Sequence, residues 1–145
     1  MKFATILPMI AASALLGSAS VYAAEDAGAR FTATLTGASE VPVLGDPDGF
    51  GTATIRVNPG REQLCYSITV SGIQPATMAH IHEAPAGTPG PVVIGLAVPS
   101  SGTSQGCVTV SREFAKEFIK NPSDYYVNVH NAEFRGGAVR GQLGR

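Results

Sequence analysis

The sequence predicts an all-β domain, a Greek-key β-sandwich or flattened barrel of about eight strands with one short helix near 112–120. Three observations point there. Segments that alternate apolar and polar residues recur along the chain, separated by turn residues. The 145 residues include 17 Gly and 10 Pro, as a chain that turns often requires. Charged residues make up only 14%, so most strand positions are free to pack a pleated surface.

Each element has its own signal. Residues 31–35, FTATL, alternate, and a Pro/Asp/Gly-rich connection follows over 37–49. Residues 51–57, GTATIRV, form a second strand closed by Asn58-Pro59-Gly60. In 63–70 the residues Leu64, Tyr66, Ile68 and Val70 share one face, and Cys65, Ser67 and Thr69 share the other. A strand over 77–83 leads into the Gly/Pro loop 84–91, read as a turn cluster rather than a cradle. Residues 92–98 are more continuously apolar, as for a strand covered on both faces. Residues 105–111 alternate again.

The helix has a start, a stripe and a stop. Ser111 is a good N-cap, Glu113 suits the first turn and Lys120 the last. Phe114, Ala115, Phe118 and Ile119 fall on one stripe, and Pro122 prevents continuation. Residues 125–130 and 138–143 complete the strands.

The chain opens with a secretory signal. Lys2 supplies the positive end, 3–16 an apolar run, and Val21-Tyr22-Ala23 the small residues before a cut. The expected organisation is a signal peptide over 1–23, a flexible mature N-terminus over 24–29 and a β domain over 30–145. The apolar run is too short to span a bilayer, so no membrane span is expected after cleavage. The destination is the periplasm or the exterior. Removing 1–23 takes only Lys2 from the 10 Lys and Arg, leaving a net charge of about −2 against 11 Asp and Glu. That is no nucleic-acid footprint, which needs a basic stripe.

Cys65 and Cys107 are the only cysteines. An even count in an oxidising compartment predicts a disulfide closing a loop of roughly 43 residues, worth about 4 kcal/mol. Free thiols and metal ligation are the alternatives, the latter without a CxxC spacing to support it.

The three histidines occupy two strand-like phrases, Met78-Ala-His80-Ile-His82-Glu83 and Tyr126-Val-Asn128-Val-His130-Asn131. Alternation puts His80 and His82 on one face with Met78, and His130 on one face with Asn128 and Tyr126. If the strands are neighbours, three imidazoles converge on a copper or zinc site, copper being preferred. The alternative is a hydrogen-bonded His/Asn cluster that stiffens the strands. Met78, Glu83, Asn128, Asn131 and Glu133 are candidates for an added ligand or a supporting hydrogen bond. For the two glutamates a solvated loop charge is the plainer role. Arg135 and Arg140 are candidates to guide an anion, or else form surface ion pairs. Tyr126 packs or takes a redox role. Hydrolytic chemistry has little support, with no G-x-S-x-G elbow, and phosphate loops and dinucleotide fingerprints are absent.

The phrases Glu40-Val-Pro42, Ala79-His-Ile-His82, Gly90-Pro-Val-Val93, Tyr126-Val-Asn-Val-His130 and Gly137-Ala-Val-Arg-Gly-Gln-Leu143 follow in order with sensible spacing. Together they resemble the CHRD (chordin-type) domain, which implies a β domain outside the cytoplasm. The His-x-His strand followed later by a Val-x-His strand also resembles the copper half of the Cu,Zn superoxide dismutases. That likeness implies adjacent histidine strands, with His80, His82 and His130 as copper ligands. It also matches 135–141 to that family's Gly-rich, Arg-bearing stretch. The chain lacks a fourth histidine and that family's zinc ligands. Three functions follow: copper sequestration, delivery or tolerance; a dismutase-like redox enzyme; or a metal-free extracellular protein-binding module.

Overall fold

Eight antiparallel strands form one sheet in the computed structural model, which describes residues 28–145. They are β1 (Ala29–Thr36), β2 (Phe50–Asn58), β3 (Gln63–Ser71), β4 (Ala76–Glu83), β5 (Val92–Gly95), β6 (Thr103–Thr109), β7 (Tyr125–Asn131) and β8 (Val139–Gln142). The one α-helix among the described residues, α1, spans Arg112–Lys120. The spatial order is β5-β4-β7-β8-β1-β2-β3-β6, and the sheet curls into a half-barrel. The all-β class, the strand count and the helix are as the sequence predicts. The signal peptide over 1–23 and residues 24–27 lie outside the described residues. β1 starts at Ala29, one residue before the expected domain boundary, already paired with Val57.

Alternation explains both the pairing and the curl. β1, β2 and β3 form a meander in continuous register, and their inward residues Phe31, Leu35, Ile55, Leu64 and Ile68 are at most 1% exposed. The other half of the sheet turns Ile81, Val127 and Val129 into the same core. Curling lets one sheet cover its own apolar face. α1 closes the assembly with Phe118, which is buried against Phe31 and stacks on Tyr125 at 4.5 Å. Ser111 caps the helix as expected, its side chain accepting the Phe114 N–H.

One strand differs from expectation. Residues 92–98 do not form a strand covered on both faces: β5 ends at Gly95, with Val92 51% and Val98 39% exposed. The apolar run sits at a sheet edge, where Ile94 and Leu96 are buried and Val93 is partly buried against the core. β4 and β7, in contrast, are paired neighbours, as the dismutase likeness implies.

Cys65 and Cys107 lie directly opposite each other on β3 and the edge strand β6, joined as a disulfide. The bond ties that edge to the sheet. Replacing both cysteines by serine is expected to lower the unfolding free energy by about 4 kcal/mol through the freed loop entropy. Urea denaturation measures this, and an unchanged midpoint would contradict it.

Candidate metal centre

β4 and β7 place the histidines by register. Met78 faces His130, His80 faces Asn128, and His82 faces Tyr126. Alternation sends Ala79, Ile81, Val127 and Val129 into the core and leaves the other set on the opposite face of the sheet. Register shifts interrupt β4 before and within the histidine pair, between Ala76 and Met78 against β7 and between Ile81 and His82 against β5. Such irregularities re-aim side chains.

The three imidazoles converge: one ring nitrogen from each lies within 4.8 Å of the others. His80 Nδ1 is 3.3 Å from His130 Nε2. Two nitrogens bound at about 2.0 Å with a tetrahedral angle stand about 3.3 Å apart, so this pair already has ligand spacing. Two such ligands cannot exceed about 4.0 Å, so the widest pair must close by about 1 Å. Closure asks for small side-chain rotations, which are softest about the imidazole χ2 torsion.

Backbone carbonyls set the tautomers. His82 Nδ1 lies 2.9 Å from Gly90 O, and His130 Nδ1 lies 2.9 Å from Arg135 O. A carbonyl only accepts, so both rings carry their proton on Nδ1 and present a bare Nε2. His82 Nε2 is buried with no partner, an exception to the rule that buried polar atoms are satisfied. Burial holds the His80 and His82 pKa values below the usual 6.5, and the neighbouring histidines reinforce this. Neutral rings with oriented lone pairs are what a transition metal binds. The donors present therefore fit one ion.

The loop 84–91 bears the Gly90 carbonyl, and residues of the histidine face hold it down. Gly90 N–H donates to the Tyr126 hydroxyl, Arg140 donates to Pro85 O and Thr88 O, and Gln142 donates to Ala84 O. A side chain at Gly90 would run into the Glu83 carbonyl. Tyr126 on β7 lies between the strands that supply its two stacking partners. His82 from β4 stacks at 4.8 Å and 8°, and the Arg140 guanidinium from β8 sits 3.4 Å from the ring centroid.

The model of the CHRD domain family matches residues 31–143. The chain belongs to the CHRD domain family. No curated protein is significantly similar to it in sequence. Family membership and the disulfide support an extracellular or periplasmic module. No helix among the described residues is long and apolar enough to cross a membrane.

Within this CHRD domain the expected residues divide. His80, His82 and His130 come together, with Met78, Asn128 and Tyr126 on their face. Glu83 and Glu133 are exposed, and Asn131 is engaged elsewhere, its amide donating to Gln74 O and accepting the Phe134 N–H. Arg135 contributes its carbonyl to His130 while its side chain is exposed. Arg140, expected as an anion guide, is 2% exposed and clamps the 84–91 loop from inside. That loop, expected as a plain turn cluster, orients His82 through Gly90.

Glu40 escaped the sequence reading because it sits in the loop between β1 and β2, far along the chain from β7. It is 3% exposed and accepts a hydrogen bond from Asn128 Nδ2. Gly137 lies against it at φ 146°, and a side chain there would collide with the carboxyl. Burial raises the Glu40 pKa from 4.5 to about 7, partly offset by the nearby Arg140 charge. The folded state therefore keeps this proton while the unfolded chain loses it. The resulting stabilisation is complete below pH 4.5, falls as pH rises and is gone above about 7. Glu40→Gln removes the titration. The stability difference between native and Glu40→Gln protein is expected to move by about 3 kcal/mol across that window, against the native chain at high pH. Denaturant melts at a series of pH values measure it, and parallel curves would contradict it.

Proposed function

We propose that this CHRD domain is a copper-binding module that works outside the cytoplasm, holding one ion on His80, His82 and His130 for sequestration, delivery or tolerance. One observation carries the reading. Two carbonyl-oriented histidines present bare Nε2 atoms beside a third imidazole, with one nitrogen of each ring within 4.8 Å of the others. His80 Nδ1 and His130 Nε2 pair with each other, as a cluster that merely stiffened the strands would have them do, but such a cluster leaves the buried, unpartnered His82 Nε2 unexplained.

Copper is preferred over zinc because it heads the affinity order for nitrogen donors. An exported protein also meets copper outside cytoplasmic buffering. The protein supplies orientation through Gly90 and Arg135, and burial lowers the His80 and His82 pKa values. Bound copper would supply Lewis acidity and one-electron chemistry. Carriage needs only the first coordination sphere, which fits a chain with three histidines and no fourth.

Titration of the protein with Cu(I), Cu(II) and Zn(II) tests this. One equivalent of copper is expected to bind. His80→Ala or His130→Ala should weaken binding by at least about a hundredfold, beyond the usual effect of losing a supporting residue. Equal, weak binding by all three proteins would contradict the proposal. Tight copper binding without superoxide consumption would assign carriage, and rapid consumption would assign the dismutase-like reading.

A further inference from the structure

Resting on the three-histidine reading, we infer that Met78 is a fourth ligand and that the site selects Cu(I) over divalent ions. The chain has three methionines, Met1, Met9 and Met78, and the first two fall within residues 1–23, the expected leader. Beyond the leader, one thioether therefore remains. It lies directly opposite His130 on the paired strand and two residues from His80 on the same face. Directly opposed residues on antiparallel strands have Cβ atoms about 5 Å apart, within reach of an unbranched side chain with three rotatable bonds. Every imidazole outside the leader and its lone methionine thus share one patch.

Core packing does not explain this methionine. Its strand neighbours Ala79 and Ile81 face the core at 2% and 0% exposure, whereas Met78 is 45% exposed on the other face. Of the six exposed large hydrophobic residues among those described, Met78 alone carries an atom that binds metal. His80 is the most exposed histidine of the cluster. Met78 and His80 thus form its open side, where an ion enters and leaves.

The charge of the ligand set leads the same way. Among the described residues the cluster contains three histidines and no carboxylate or thiolate. Cys65 and Cys107 are locked in their disulfide. Glu83 is exposed at the end of β4, and Glu40 lies behind Asn128. The buried Arg140 guanidinium sits on the Tyr126 ring that also stacks on His82, and its charge opposes a second positive charge. A monovalent ion loses less on entering such a neutral, half-buried site than a divalent one. A soft thioether adds affinity for Cu(I) and little for Zn(II). Three neutral imidazoles and one thioether make a four-coordinate site matched to Cu(I).

Anaerobic titration with Cu(I) against a chromophoric competitor, alongside Zn(II), tests the inference on native, Met78→Leu and His130→Ala proteins. Leucine preserves the exposed apolar side chain, and unchanged circular dichroism checks the fold. Met78→Leu should weaken Cu(I) binding by at least about tenfold and leave Zn(II) binding within about twofold. X-ray absorption of the Cu(I) form should contain a sulfur shell that Met78→Leu removes. Cu(I) binding that is lost in His130→Ala but unmoved in Met78→Leu overturns the role of Met78 and leaves the three-histidine reading intact. Weak Cu(I) binding that neither substitution changes overturns both.

Discussion

Two backbone carbonyls, Gly90 O and Arg135 O, organise the histidine face of this CHRD domain. Each takes the Nδ1 proton of one ring, which fixes ring orientation and tautomer together and leaves Nε2 bare. Neither carbonyl belongs to a strand; each sits in a connecting segment that must be held. Arg140, Tyr126 and Gln142 hold the first. The second lies in the turn after β7, closed by Phe134 N–H on Asn131 Oδ1 and Gly137 N–H on Phe134 O. Much of the polar chemistry beside the histidines can be traced to keeping these two oxygens in place.

That arrangement leaves opposing electrostatic demands in one layer. A buried guanidinium, a buried carboxyl and an imidazole cluster lie on the same side of the sheet. Arg140 finds two carbonyls and an aromatic face, and Glu40 finds an amide donor. His82 Nε2 finds nothing, and an unsatisfied buried acceptor costs about 1–3 kcal/mol. A bound cation would satisfy it. Metal affinity and fold stability are thereby coupled, because any ion held only by the folded chain stabilises it.

Much of this was legible in the sequence because it obeys local rules. Two-residue alternation revealed the strands and faces, as with Leu64, Tyr66, Ile68 and Val70 inside and Cys65 outside. Ser111, the Phe114/Phe118 stripe and Pro122 bounded the helix within the same residues. The histidine trio was legible because His-x-His on a strand can only share a face. What stayed hidden depends on contacts between distant segments. Glu40 meets Asn128 across 88 positions, and Arg140 reaches the 84–91 loop across more than 50. Neither has a local signature. Charge alone suggested that Arg140 faces solvent, whereas the Tyr126 ring and two carbonyls draw it inside. The continuous apolar run at 92–98 misled for a related reason, since composition does not tell an edge strand from a central one.

Nitrogen-15 NMR of the histidine rings tests the central claim most directly, because it reads the protonation of each ring nitrogen. In the metal-free protein the account predicts Nδ1–H tautomers for His82 and His130, each with an unprotonated Nε2. One equivalent of Cu(I) should then shift both Nε2 resonances and leave the Nδ1 protons in place. Nε2–H tautomers in the free protein, or Nε2 resonances that do not move when copper is added, would contradict it.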